Sequence, residues 1–116
     1  METIQTESTE LVNPQRNFDQ CFAKFLEGAR AKVAAYDSGF PTLEASTLEV
    51  IPGSRYLKIA IQRGTGRSVW AFIDKTNGDV LKPAGWKAPA KHARGNIFDL
   101  SFGLKNCNHH GPAYLR

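Results

Sequence analysis

Tyr56-Leu57-Lys58-Ile59-Ala60-Ile61-Gln62-Arg63-Gly64-Thr65-Gly66-Arg67-Ser68-Val69-Trp70-Ala71-Phe72-Ile73-Asp74 is the stretch whose reading decides the fold. Two runs rich in β-branched and aromatic residues flank a glycine-rich connection, the pattern of an antiparallel hairpin. With Arg63 opposite Arg67, Leu57, Ile59 and Ile61 share one face with Ile73, Ala71 and Val69, and that apolar face is expected to be core. The other face then carries Tyr56, Lys58, Ala60 and Gln62 beside Ser68, Trp70, Phe72 and Asp74. Trp70 falls opposite Ala60, too small to cover an indole, and Phe72 falls opposite Lys58. Aromatic rings interleaved with a cation on a sheet surface form a platform on which single-stranded bases stack. The alternative is that the C-terminal third covers this face and both rings are core.

Outward from the hairpin, Asn77-Gly78 signals a tight turn, and Asp79 to Lys82 is expected to return as another antiparallel strand. Thr47 to Ile51 reads as a short strand closed by Pro52-Gly53. Further upstream, Phe18, Phe22, Phe25, Ala29, Val33 and Tyr36 recur at steps of three or four, with Leu26 widening the stripe. This spacing predicts an amphipathic helix over 18–36. Asn17 is its expected N-cap, with Gln20 placed for a capping box, and Ser38-Gly39 followed by Pro41 ends it. Gly28 inside the helix carries a cost in backbone entropy. Residues 1–13 are polar and without period, a predicted flexible arm, and 14–116 are expected to form one domain. The predicted class is α+β: a helix packed on an antiparallel sheet of three to four strands, followed by an irregular basic C-terminal segment.

That segment opens with Lys82-Pro83-Ala84-Gly85-Trp86-Lys87-Ala88-Pro89-Ala90-Lys91-His92-Ala93-Arg94-Gly95. Its prolines disfavour a helix, because each lacks an amide hydrogen and pushes its predecessor toward extended geometry. What remains is a cationic, aromatic loop around one tryptophan. The whole chain of 116 residues has a net charge of +4, but the charge is unevenly distributed. Residues 1–50 hold four basic and eight acidic residues, net −4, whereas residues 51–105 hold ten basic and three acidic, net +7. A positive field confined to one half of a chain suits a polyanionic partner. No apolar run of membrane-spanning length occurs, and the two cysteines, Cys21 and Cys107, fit a reducing compartment.

Other chemistry finds little support. Cys107, His109 and His110, even joined by His92, match no paired-ligand spacing of a zinc module, so no metal or other cofactor is expected. Gly64-Thr65-Gly66 lacks the Gly-Lys-Ser/Thr of a phosphate-binding P-loop. Asp74, Asp79 and Asp99 are scattered singly, and no nucleophile elbow is present, so the chain does not read as an enzyme.

Trp86-Lys87-Ala88-Pro89-Ala90-Lys91-His92-Ala93-Arg94-Gly95-Asn96-Ile97-Phe98, preceded by Phe72-Ile73-Asp74 and Asn77-Gly78-Asp79, resembles small proteins encoded by tailed bacteriophages. In size, helix-plus-β layout and basic character the chain is also similar, more loosely, to a phage single-stranded-DNA-binding cofactor of RNA polymerase. These resemblances imply a phage origin, a bacterial cytoplasm as workplace, and a role in phage transcription or replication.

The residues and the resemblance converge on binding of single-stranded nucleic acid, DNA ahead of RNA, with low sequence preference. Arg55, Lys58, Arg67, Lys87, Lys91 and Arg94 are the candidates for phosphates, and Trp70, Trp86 and His92 for base stacking. RNA polymerase or another transcription or replication protein is a further candidate partner, and self-association is compatible with the sequence. A reading from a different class makes the same basic stretch the contact of an adaptor or inhibitor with an acidic host protein, with Trp86 as its anchor.

Overall fold

The computed structural model describes residues 17–39 and 45–112. The expected arm, residues 1–13, lies outside them, as do Pro41 and residues 113–116. The architecture is α+β, as expected. One helix, α1 (Phe18–Asp37), is followed by a five-stranded antiparallel sheet of β1 (Thr47–Pro52), β2 (Tyr56–Arg63), β3 (Gly66–Asp74), β4 (Asp79–Leu81) and β5 (Gly95–Asn96), in that spatial order. A small hairpin of β6 (Cys107–Asn108) and β7 (Gly111–Pro112) completes it. The sheet has one strand more than the upper expectation, because Gly95 and Asn96 pair with Val80 and Asp79.

Asn17 caps α1 as its sequence position suggests: its side-chain oxygen accepts the Gln20 backbone N–H at 3.2 Å, satisfying one orphan donor. At the other end the Ser38 N–H donates to the Ala34 carbonyl and the Ser38 hydroxyl to the Ala35 carbonyl. The buried face is the stripe Cys21, Phe25, Ala29 and Val33, each four residues from the last. It packs on Leu48, Ile59, Ile61, Ala71, Ile73, Val80 and Ile97, with Phe18, Phe22 and Leu26 around it. Gly28 has a packing reason: a Cβ there would collide with the Leu104 side chain, which lies against the helix.

The β2–β3 hairpin departs from the expected register halfway along. From Tyr56 to Ile59 the pairing is the expected one, with Leu57 opposite Ile73 and Ile59 opposite Ala71. Beyond a bulge it shifts by one, so that Ala60 faces Val69, Ile61 faces Ser68, Gln62 faces Arg67 and Arg63 faces Gly66. Trp70 is the extra residue. A bulge leaves one residue unpaired and re-aims its side chain, and here the indole goes to the helix side of the sheet. Trp70 is 1% exposed and meets the Phe25 ring edge-on, with centroids 6.0 Å apart. Its Nε1–H donates to the His109 carbonyl at 3.1 Å, so the polar tip is paired as well. The expectation that Trp70 stacks bases is therefore corrected: the residue is a central part of the core.

Val69 makes the opposite exchange and joins the second face, which now carries Tyr56, Lys58, Ala60, Gln62, Arg67, Val69, Phe72 and Asp74. Phe72 stays on that face as expected but is buried, edge-on to Tyr56, so it offers no open platform either. β6 and β7 fold back against α1 and β3. Gly111 is required there: its φ is 104°, and a Cβ would collide with the Trp70 carbonyl oxygen. The segment from Lys82 onward, expected to be irregular, thus contributes β5, β6 and β7, three of the seven strands among the described residues.

Candidate nucleic-acid interface

Lys58 and Arg67 rise from the second face of the sheet, from adjacent strands. The Arg67 guanidinium is tied across β2 to Glu49 of β1, Nη2 to Oε1 at 2.6 Å. Above them lies the connection from β4 to β5. Within it Pro83 and Pro89 face each other as an isolated antiparallel bridge, and neither can donate a hydrogen bond. The pairing is held instead by the Ala90 N–H on the Lys82 carbonyl at 2.7 Å and by the Ala84 and Gly85 N–H groups on the Ala88 carbonyl. The two prolines thus make the ends of a hairpin-like loop whose tip carries Trp86.

Trp86 is 41% exposed, unusual for so large an apolar ring. The Lys58 ammonium lies 4.2 Å from its ring centroid and the Arg67 guanidinium carbon 5.2 Å. Each contact of a cation with the π-face contributes about 0.5–1 kcal/mol at an exposed position. Together they hold the indole on the sheet while keeping both charges at the surface. Lys87 follows, exposed and without an ion-pair partner among the described residues. A cleft opens on each side of the loop. One, of about 320 Å³, is lined by Arg67, Ser68, Val69 and 83–86; the other, of about 330 Å³, by 51–56, Lys58, Phe72 and Lys87.

Of the expected contact residues, the structure brings Lys58, Arg67, Trp86 and Lys87 together, with Arg55 at the rim of the second cleft. Arg55 is partly committed, because it pairs with the buried Asp74 at 3.2 Å. Burial pushes the Asp74 carboxyl up, but hydrogen bonds from Thr76 and the Arg55 guanidinium outweigh it and hold the group below its ordinary range. Lys91, His92 and Arg94 form a separate turn. His92 has a φ of 70°, and the Arg94 guanidinium donates to the carbonyls of Lys91 and His92, while the Asn106 amide donates to the Arg94 carbonyl. Arg94 is a brace for this turn; Lys91 and His92 are exposed.

Residues 9–115 match the profile of a family of unknown function, DUF7717. The chain belongs to that family. No curated protein and no solved structure matches it.

One further polar cluster in this DUF7717 chain escaped the sequence reading. At the C-terminal end of α1, Tyr36 stacks on His109 at 3.7 Å with the rings within 6° of parallel, and His110 lies 3.9 Å from His109. Arg63, at the end of β2, reaches Asp37 at 3.6 Å and donates from Nε to the Ser46 hydroxyl at 2.6 Å. The Ser46 N–H in turn donates to Asp37 at 2.7 Å. That bond, with the Ser46 hydroxyl and Arg63, draws the Asp37 carboxyl down against some burial. Loss of solvent, with His110 and Arg63 close by, lowers His109, and Asp37 only partly opposes this. Sequence offers no sign of such a cluster, since its members come from four separate segments. Cys107 and the two histidines do not converge: the Cys107 thiol donates to the Gly103 carbonyl in the core, and burial pushes it up to about 11.

Proposed function

We propose that the second face of the sheet, centred on Trp86, binds single-stranded nucleic acid. The observation that carries this reading is the half-exposed indole with both Lys58 and Arg67 against its ring, and beside it Lys87, which has no ion-pair partner among the described residues. An aromatic surface for a base and cations for the flanking phosphates are the two things a strand needs, and neither reads sequence. DNA comes ahead of RNA in this proposal; the resemblance of Trp86–Phe98 to phage proteins supports a phage origin, and the looser likeness to a phage single-stranded-DNA-binding cofactor of RNA polymerase supports a role in transcription or replication. Compared with the sequence reading, the stacking surface is smaller by Trp70, so the site holds few bases per chain and extended occupancy needs several chains on one strand.

The test is fluorescence anisotropy of labelled oligonucleotides, single-stranded and duplex. Trp86→Ala is expected to weaken single-strand binding by about 1–3 kcal/mol, the range for removing one base–aromatic stack. No binding by any oligonucleotide at low salt overturns the reading and turns the same face toward an acidic protein surface.

A further inference from the structure

We infer that the cleft between the β1–β2 turn and Lys87 is a second nucleotide subsite, so that each chain holds two successive units of a strand with the phosphate between them at Lys58. This rests on the strand-binding reading above and extends it from one unit to two. Four properties of the cleft define its occupant. Its volume, about 330 Å³, lies at the lower end of small-molecule pockets. Its walls include Ile51, Pro52, Tyr56 and an edge of Phe72, which suit a flat apolar body. Its charges are Arg55, Lys58 and Lys87, and no carboxylate is among its described lining residues; Asp74, which Arg55 pairs with, is also taken by Thr76. It adjoins the Trp86 site through Lys58, which lines the cleft and also lies over the indole.

A neutral apolar ligand would leave two ammonium groups without a counter-charge. A bare phosphate would leave the apolar wall unfilled. A nucleotide unit supplies a ring for the wall and a phosphate for the lysines, and continuity with Trp86 makes it the neighbour of the base stacked there. Lys58 then faces the linking phosphate and Lys87 the outer one.

The experiment titrates 5′-phosphorylated thymidine mono-, di- and trinucleotides into wild type, Lys87→Glu and Trp86→Ala, followed by NMR shift changes that read millimolar affinities. Wild type is expected to gain about tenfold from one unit to two, within the range of one added stacked base, and little from two to three. Lys87→Glu, at an exposed position and with an unchanged melting temperature, removes most of the step from one unit to two. Trp86→Ala weakens all three ligands. A step that survives Lys87→Glu, or a mononucleotide that binds as tightly as the dinucleotide, overturns the subsite. Long strands that bind through Trp86 with no such step overturn the subsite alone, whereas failure of every strand overturns the strand-binding reading with it.

Discussion

Trp70 and Trp86 are the same residue type put to opposite uses, and the difference follows from what each indole N–H and ring face can reach. Trp70 has the Phe25 edge for its ring and the His109 carbonyl for its Nε1–H, so its burial leaves nothing unsatisfied. Truncation to alanine is expected to cost about 3–5 kcal/mol of stability, read as a fall in the urea midpoint. Gly111 shares the same spot. Gly111→Ala combines a φ of 104° with a collision against the Trp70 backbone, and about 2 kcal/mol or more should be lost in the same measurement. Cys107 shows how burial governs reactivity: with its thiol near 11 and its Sγ in the core, it should resist an aromatic disulfide reagent at pH 8 until the protein is unfolded.

At the scale of elements, the helix and the positions of the turns were legible; the bulge was not, nor was the β2–β3 connection of two residues, Gly64 and Thr65, in place of the three that Arg63 opposite Arg67 requires. The phenylalanine spacing of 18–36 fixes the face of α1 with a single phase, and only Cys21 joined the stripe unannounced. Val69-Trp70-Ala71-Phe72-Ile73, by contrast, is apolar at every position. Such a run has no alternation, so it cannot say where an extra residue sits or which neighbour points inward. The error of one residue moved Trp70 into the core and Val69 out of it. Lys58, Arg67, Trp86 and Lys87 were legible as cations and an aromatic, but not as one site, because the loop of 82–90 is placed by backbone bonds that sequence does not print. The clasp of α1, β2 and the β6–β7 turn was equally hidden. It makes a pH prediction: His109, held below its ordinary value, favours the neutral ring, so its contribution is complete above the unfolded histidine value of about 6.5 and is lost as pH falls through the lower folded value. Melting temperatures at pH 7.5 and 5.5 should therefore differ less in His109→Asn than in wild type.

For the whole molecule, the helix shields one face of the sheet and leaves the other to the basic half of the chain, which holds the net +7 of residues 51–105. No described helix is long and apolar enough to cross a membrane. A strand on the second face would meet Lys58, Arg67 and Lys87. Three phosphate contacts on a single strand correspond to a slope of about −2 in log affinity against log salt. A slope near zero would mean that the charges face something other than phosphate. The separation of the two tryptophans also gives the protein two lamps of different colour. Trp70, dry and hydrogen-bonded inside, should emit in the blue and dim only on unfolding; Trp86, wet and ringed by cations, should emit further to the red and be quenched by iodide more readily than by neutral acrylamide, since Lys58 and Arg67 draw the anion in. One spectrum would then follow the core and the exposed face at separate wavelengths, and a strand bound as proposed would change only the redder emission.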